Sequence, residues 1–299
     1  MEQTFYRRNK SEIDADSIVN YMTPSSALWH HFPIATIRKR PELGYYRYEN
    51  WRDLPLAPTL TTQIAFGKYK AFANTGCTIS RVSTVNSVEK LGGALNIATD
   101  TDNDAAVIAD AYPSFRMSGD PTVDGLLCFE ACIAQASVAT NMAASFVGLG
   151  EVEQFTLANT VPFNAGNPID NSGAMIGFRM EEDGLGVIDA VYSDRATSFT
   201  NAIDDIGAND EGGEDLVAYT FAKVGFRYNP RETDTCIRWF WNNKELATKT
   251  SKATLQALTN LDANALGFLL GTVADSGGTA HILFCPWYAV GQLNPGAAL

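Results

Sequence analysis

The strongest constraint on the fold is a texture that starts at Thr61. From there on, short apolar or alternating runs recur, with Gly, Asn, Asp or Pro between them. The runs CTISRVS (77–83), GALNIAT (93–99), AAVIAD (105–110), LLCFEACIA (126–134), ASFVGLG (144–150) and AMIGFRM (174–180) read as strands. So do GVIDAVYS (186–193), YTFAKVGFRY (219–228), TCIRWFWNN (235–243), ALGFLLGTVA (265–274) and HILFCPWYAV (281–290). Many short strands separated by turn residues define an all-β sandwich or barrel. Helix is scarce: KATLQALTN (252–260) has room for two turns, and residues 196–216 read as a long acidic loop. A β-sandwich runs to about 200–250 residues as one unit, so residues 61–299 are expected to form one domain.

Residues 1–60 are of another kind. They hold five of the twelve prolines, and between these stand Trp29-His30-His31-Phe32, Tyr45-Tyr46-Arg47-Tyr48 and Trp51. Proline removes a hydrogen-bond donor and disfavours helix in the residue before it. At most one short helix is expected, at SEIDADSIVNYM (11–22), with the remainder extended. The segment is too aromatic for disorder and too rich in proline for a core of its own. It is expected to be an arm that lies on something. Trp29, Phe32, Tyr46 and Trp51 would be its anchors, and Arg38, Lys39 and Arg40 a basic cluster facing an acidic partner surface.

The stretch KVGFRYNPRETDTCIRWFWNNKELAT (223–248) fixes local geometry best. Period two puts Ala222, Val224, Phe226 and Tyr228 on one face, and Lys223, Gly225 and Arg227 on the other. It likewise separates Ile237, Trp239 and Trp241 from Arg238 and Phe240. Asn229-Pro230 opens a turn. Asn242-Asn243 makes a tighter one, because Asn tolerates positive φ, and a short return strand follows. The expectation is a three-stranded meander with one aromatic core face. The competing reading leaves Arg238, or one tryptophan, as a solvent-facing stacking platform.

This hairpin resembles the signature hairpin of concanavalin A-like jelly rolls, which include laminin G-type domains, lectins and many phage proteins. FGKYKAFANTGCTIS (66–80) and LNIATDTDNDAAVIAD (95–110) are similar to tailed-bacteriophage virion proteins of that fold. The resemblance covers residues 61–299. It implies a concanavalin A-like jelly-roll sandwich preceded by an extended N-terminal arm. Asn243 departs from the family pattern, standing where Gly is usual.

Composition excludes several functions. The net charge is −12, distributed as eight Lys/Arg against seven Asp/Glu in residues 1–60 and fourteen against twenty-seven beyond. Such a body repels nucleic acid. There is no apolar run of about 18 residues, so no helix spans a membrane, and the first residues carry no secretory signal. The five cysteines form no CxxC pair and are expected to be free thiols of a protein assembled in host cytoplasm. GxSxG and phosphate-loop motifs are absent, as is the Glu-x-Asp-x-x-Glu of jelly-roll glucanases. Glu130 stands alone on its strand. No enzyme activity and no cofactor are expected. Asp100, Asp102 and Asp104 in DTDND fit either a polar turn or a structural calcium loop.

Together these readings lead to an expected function: a virion structural protein, a capsid decoration or cement protein whose arm binds the shell or sister copies in a homo-oligomer. The alternative is a lectin-like carbohydrate-binding module, using Trp239, Trp241, Trp287 or Tyr192 as a glycan platform.

Overall fold

A computed structural model of the chain describes residues 23–51, 64–73, 76–82, 94–99, 105–138, 144–152, 173–180, 185–194, 200–210, 213–258, 261, 263–274 and 281–297. In chain order, the first described elements are two short helices, α1 (Ser26–Trp29) and α2 (Ile34–Lys39). The strands are β1 (Gly44–Glu49), β2 (Ile64–Phe66), β3 (Tyr69–Ala73), β4 (Thr78–Val82), β5 (Ala94–Ala98), β6 (Ala105–Asp110), β7 (Leu127–Gln135) and β8 (Ala144–Gly150). They continue as β9 (Ala174–Met180), β10 (Ile188–Asp194), β11 (Thr200–Ile203), β12 (Ala222–Tyr228), β13 (Ile237–Trp241), β14 (Lys244–Thr250), β15 (Gly267–Val273) and β16 (Ile282–Leu293). Helix α3 (Ile206–Asn209) follows β11, and α4 (Lys252–Gln256) follows β14.

The strands form two antiparallel sheets of eight. The first has the order β14-β13-β12-β7-β16-β5-β4, with β1 also beside β16; the second is β11-β10-β9-β8-β15-β6-β3-β2. The expected all-β sandwich is present, and each of the eleven predicted strand runs overlaps one of these strands. The meander β12-β13-β14 is present too, with its aromatic side inward: Phe226, Tyr228, Trp239 and Trp241 all lie in the core between the sheets. Trp239 meets Phe178 of the other sheet edge-on at 5.5 Å. Asn242 and Asn243 both have positive φ, 44° and 70°, as the primed two-residue hairpin turn requires.

The segment expected to be an arm is built into the sandwich. β16 is long enough to pair with β5 through Ile282–Cys285 and with β1 through Tyr288–Leu293, while β7 runs along its other edge. The sheet therefore includes a strand from before residue 60. The segment also contains two helices rather than at most one, and neither lies at 11–22, which is outside the described residues. Proline does not prevent them because it sits where no donor is needed: Pro33 is the N-cap of α2, and Pro41 opens a 3-10 turn at Pro41–Leu43. The acidic stretch 196–216 likewise contains β11 and α3. Asp210 holds it in place, accepting the Ala247 and Thr248 backbone N–H groups at 2.6 and 2.8 Å.

Two polar contacts lock the N-terminal segment onto the body. Arg47 on β1 reaches between the sheets to Asp110 at the end of β6, in a nearly dry pair at 2.6 and 2.8 Å. Asp110 also accepts the Phe268 N–H at 2.8 Å, and the guanidinium packs over the Tyr288 ring. On the outer face of the first sheet, Glu130 Oε2 accepts both the Ser25 N–H and the Trp29 indole N–H at 2.8 Å. Bare backbone receives the apolar anchors there. A Cβ at Gly225 would lie 2.5 Å from Leu28, and one at Gly291 would lie 2.5 Å from the Phe32 ring.

Candidate functional site

The anchors expected to grip a partner are largely spent inside the molecule. Trp29 is 6% exposed, Phe32 5% and Trp51 1%. Trp29 and Phe32 cover the outer face of the first sheet together with Leu28 and Ile37, and half-buried Tyr46 meets Trp29 edge-on at 5.4 Å. Burial pushes the Tyr46 hydroxyl up to about 12, against the nearby Arg38. Trp51 lies between the sheets beside Tyr69, Phe268 and Tyr288. Arg38, Lys39 and Arg40 stay exposed. Arg38 sits over the Tyr46 ring at 5.7 Å, and Arg40 pairs with Glu42 at 2.8 Å. Asp100, Asp102 and Asp104 lie outside the described residues.

The proposed aromatic platform is also taken up by packing. Trp239, Trp241, Trp287 and Tyr192 are all buried. Arg238 is no platform either, since it is clamped between Glu232 (2.7 Å) and Glu245 (2.9 Å). Glu130 does point to the outer side of its sheet, yet it is buried beneath α1. Burial raises its carboxyl above the ordinary range, opposed by the hydrogen bonding from Ser25, the charge of Lys223 and the Trp29 N–H.

What remains open is a groove of about 300 Å³ at one end of the outer face of the first sheet. Strand ends create it. Tyr228 on β12 is paired with Leu127 on β7, and the Leu293 N–H at the end of β16 donates to the Leu126 carbonyl at 2.9 Å. The turn after β12 (Asn229–Glu232), the chain after β16 (Asn294–Ala297) and His31 from the turn after α1 form the rim. A second hollow of about 230 Å³ shares His31, Leu293 and Ala297 with it and continues beneath Pro33 and Thr36.

Arg227 occupies the floor, 8% exposed, with its guanidinium carbon 5.8 Å over the Phe240 ring. No hydrogen bond or ion pair to that guanidinium exists among the described residues. Among the described residues Glu232 is the sole carboxylate in the groove lining, and its acceptor capacity goes to Arg238, Asn229 Nδ2 and Thr235. These donors hold it below the ordinary carboxylate range, although burial acts the other way as the largest single influence. The Asn229 Oδ1 accepts the Arg231 backbone N–H at 3.1 Å and so fixes the turn. The groove combines apolar walls (Leu126, Pro230, Leu293) with side-chain donors and one buried, unmatched cation. Alternation already places Arg227 on the outer face. Nothing local in the sequence shows that residues 23–39 cover that face and leave this end open.

No protein-family model and no curated protein matches the sequence. Solved structures do match in fold. A protein of unknown function from Shewanella oneidensis MR-1 superposes with a TM-score of 0.50 at 10% identity, over 89% of this chain and 95% of that one. Peanut lectin gives 0.49 at 10% identity (83% and 97%), and an endo-1,3-beta-glucanase from Streptomyces sioyaensis gives 0.46 at 12% (84% and 97%). The fold class is that of the concanavalin A-like jelly-roll sandwiches. At these identities the likeness is one of architecture, which hosts unrelated functions.

Proposed function

We propose that this chain is a carbohydrate-binding module and that the groove over Arg227 is its saccharide site. The observation that supports it is the lining: apolar walls that suit the faces of a sugar ring, beside His31, Arg227, Asn229, Arg231 and Asn294, which suit its hydroxyls. Catalysis is no part of this reading. Among the described residues the groove has one carboxylate, Glu232, which is held by Arg238, whereas glycoside hydrolysis needs two acids about 5–9 Å apart across the scissile bond.

The test is a glycan array probed with the full chain, followed by calorimetry on the best ligand with wild type and Ala297→Trp, which obstructs the rim shared by both hollows. Binding in wild type and loss in the variant, with unchanged melting, is the expected result. An array without signal, or a hit indifferent to Ala297→Trp, removes the reading.

A virion structural role remains as a second reading, compatible with the first. Its support is the Arg38-Lys39-Arg40 cluster, which stays exposed even though Arg38 packs over Tyr46 and Arg40 pairs with Glu42. Light scattering of the full chain, alone and with R38E/K39E/R40E substitutions, checks it. An oligomer dispersed by charge reversal is expected, and a monomer that fails to bind assembled shells removes it.

A further inference from the structure

We infer that the groove is an oxyanion site: Arg227 binds the carboxylate or sulfate ester of an acidic saccharide, whose ring lies against Leu126, Pro230 and Leu293. This rests on the saccharide reading above and names the class of sugar.

A guanidinium that is nine-tenths buried is normally matched by a carboxylate, because desolvation penalises an isolated charge. Two other arginines with little exposed side chain follow that rule: Arg47 donates from one Nη2 to both oxygens of Asp110, and Arg179 pairs with Asp189. Arg227 does not. Its partner inside the protein is the face of Phe240, which attracts a cation yet leaves the N–H groups without acceptors. These donors line an open groove in which no described residue supplies an acceptor, and a bound oxyanion would supply one. The planar fork of arginine suits a bidentate oxyanion. Arg231 at the rim adds a second positive charge, and His31 opposite adds donor capacity. Glu232, the groove's own acid, is withdrawn into its contact with Arg238 and does not compete.

The rest of the surface sharpens the inference. At net charge −12 the body repels polyanions, so no diffuse basic field can mimic specific binding. Affinity for an acidic sugar must arise at the local cation, and removing Arg227 should leave no background.

The experiment uses the full chain and calorimetry with a panel of uronate-containing and sulfated oligosaccharides. Each is paired with its neutral methyl-ester or desulfated form, and free sulfate and acetate are included. The expected result is an acidic ligand bound about ten- to a hundredfold more tightly than its neutral form, the range of a charge-assisted hydrogen-bonded pair. Arg227→Met should abolish that preference while melting stays cooperative, and Arg227→Lys should restore part of it. Equal binding of acidic and neutral forms by wild type, or a preference that survives Arg227→Met, overturns the oxyanion site and leaves the saccharide reading standing. Arg227-dependent binding of free sulfate without binding of any sugar keeps an anion site but overturns the acidic-saccharide assignment together with the saccharide reading.

Discussion

At the scale of single residues, the outer face of the first sheet turns on Glu130. Its Oε2 accepts two N–H groups that no water reaches, from Ser25 and from the Trp29 indole. Removing an acceptor from two buried donors costs far more than the bond itself contributes, about 1–3 kcal/mol for each donor stranded. Glu130→Ala should therefore destabilise the protein by about 2–5 kcal/mol. Glu130→Gln keeps an acceptor oxygen and should lose about half as much. Urea titration followed by tryptophan fluorescence measures both. Equal loss in the two variants would mean that the charge, rather than the accepting oxygen, holds the segment. Asn243 acts in the same place. Its positive φ closes the β13–β14 turn, and its side-chain oxygen accepts the Ala27 N–H at 3.0 Å. The asparagine in this turn thus has a reason: glycine would make the turn but could not hold α1.

At the scale of elements, β1 decides whether residues before 60 are an appendage or part of the body. Along half of β16 the neighbouring strand is β1, and its Arg47 neutralises Asp110, which is otherwise buried on β6. A chain beginning at Thr61 loses that strand, strands Asp110, and uncovers Leu126, Phe240, Trp287 and Leu293. Losing one partner of a buried pair costs about 3–5 kcal/mol, and the newly bare face adds to it. Such a chain should aggregate or unfold without cooperativity. If light scattering and thermal melting instead showed a compact monomer, β1 would be dispensable. The same strand marks the limit of what the sequence discloses. Alternation in AMIGFRM or KVGFRY reports the two faces of a strand, so the sandwich and the inward Trp239 and Trp241 could be read directly. GYYRYE carries aromatics on both faces and sits among prolines. Its pairing with β16, some 240 residues away, is a long-range event that no local pattern encodes. The groove was hidden for the same reason. Arg227 could be assigned to a face, but whether that face is wet depends on where Leu28 and Phe32 come to rest.

At the scale of the whole molecule, the response to acid brings two buried titrating groups into opposition. His281, just before β16, is wholly buried, and burial lowers its pKa to about 4 from 6.5. The folded chain keeps it neutral in a range where the unfolded chain is protonated. Stability from this group is complete above pH 6.5 and falls as the pH drops toward 4, by about 2 kcal/mol between pH 7 and pH 5. Glu130 works in reverse. Its folded pKa is raised, so its contribution is full below the unfolded value and is lost as the pH climbs through the folded one. Acid therefore relieves Glu130 while it strains His281. The net charge of −12 also shrinks toward the isoelectric point near 4.7, which weakens self-repulsion and solubility together. Comparing variants isolates the histidine from these background terms. His281→Leu cannot titrate, so the difference in urea midpoint between it and wild type should move in favour of the variant as the pH falls from 7 to 5. The shift should match about 2 kcal/mol. A difference that stays constant across that range would show that His281 is solvated and charges freely in the native sandwich.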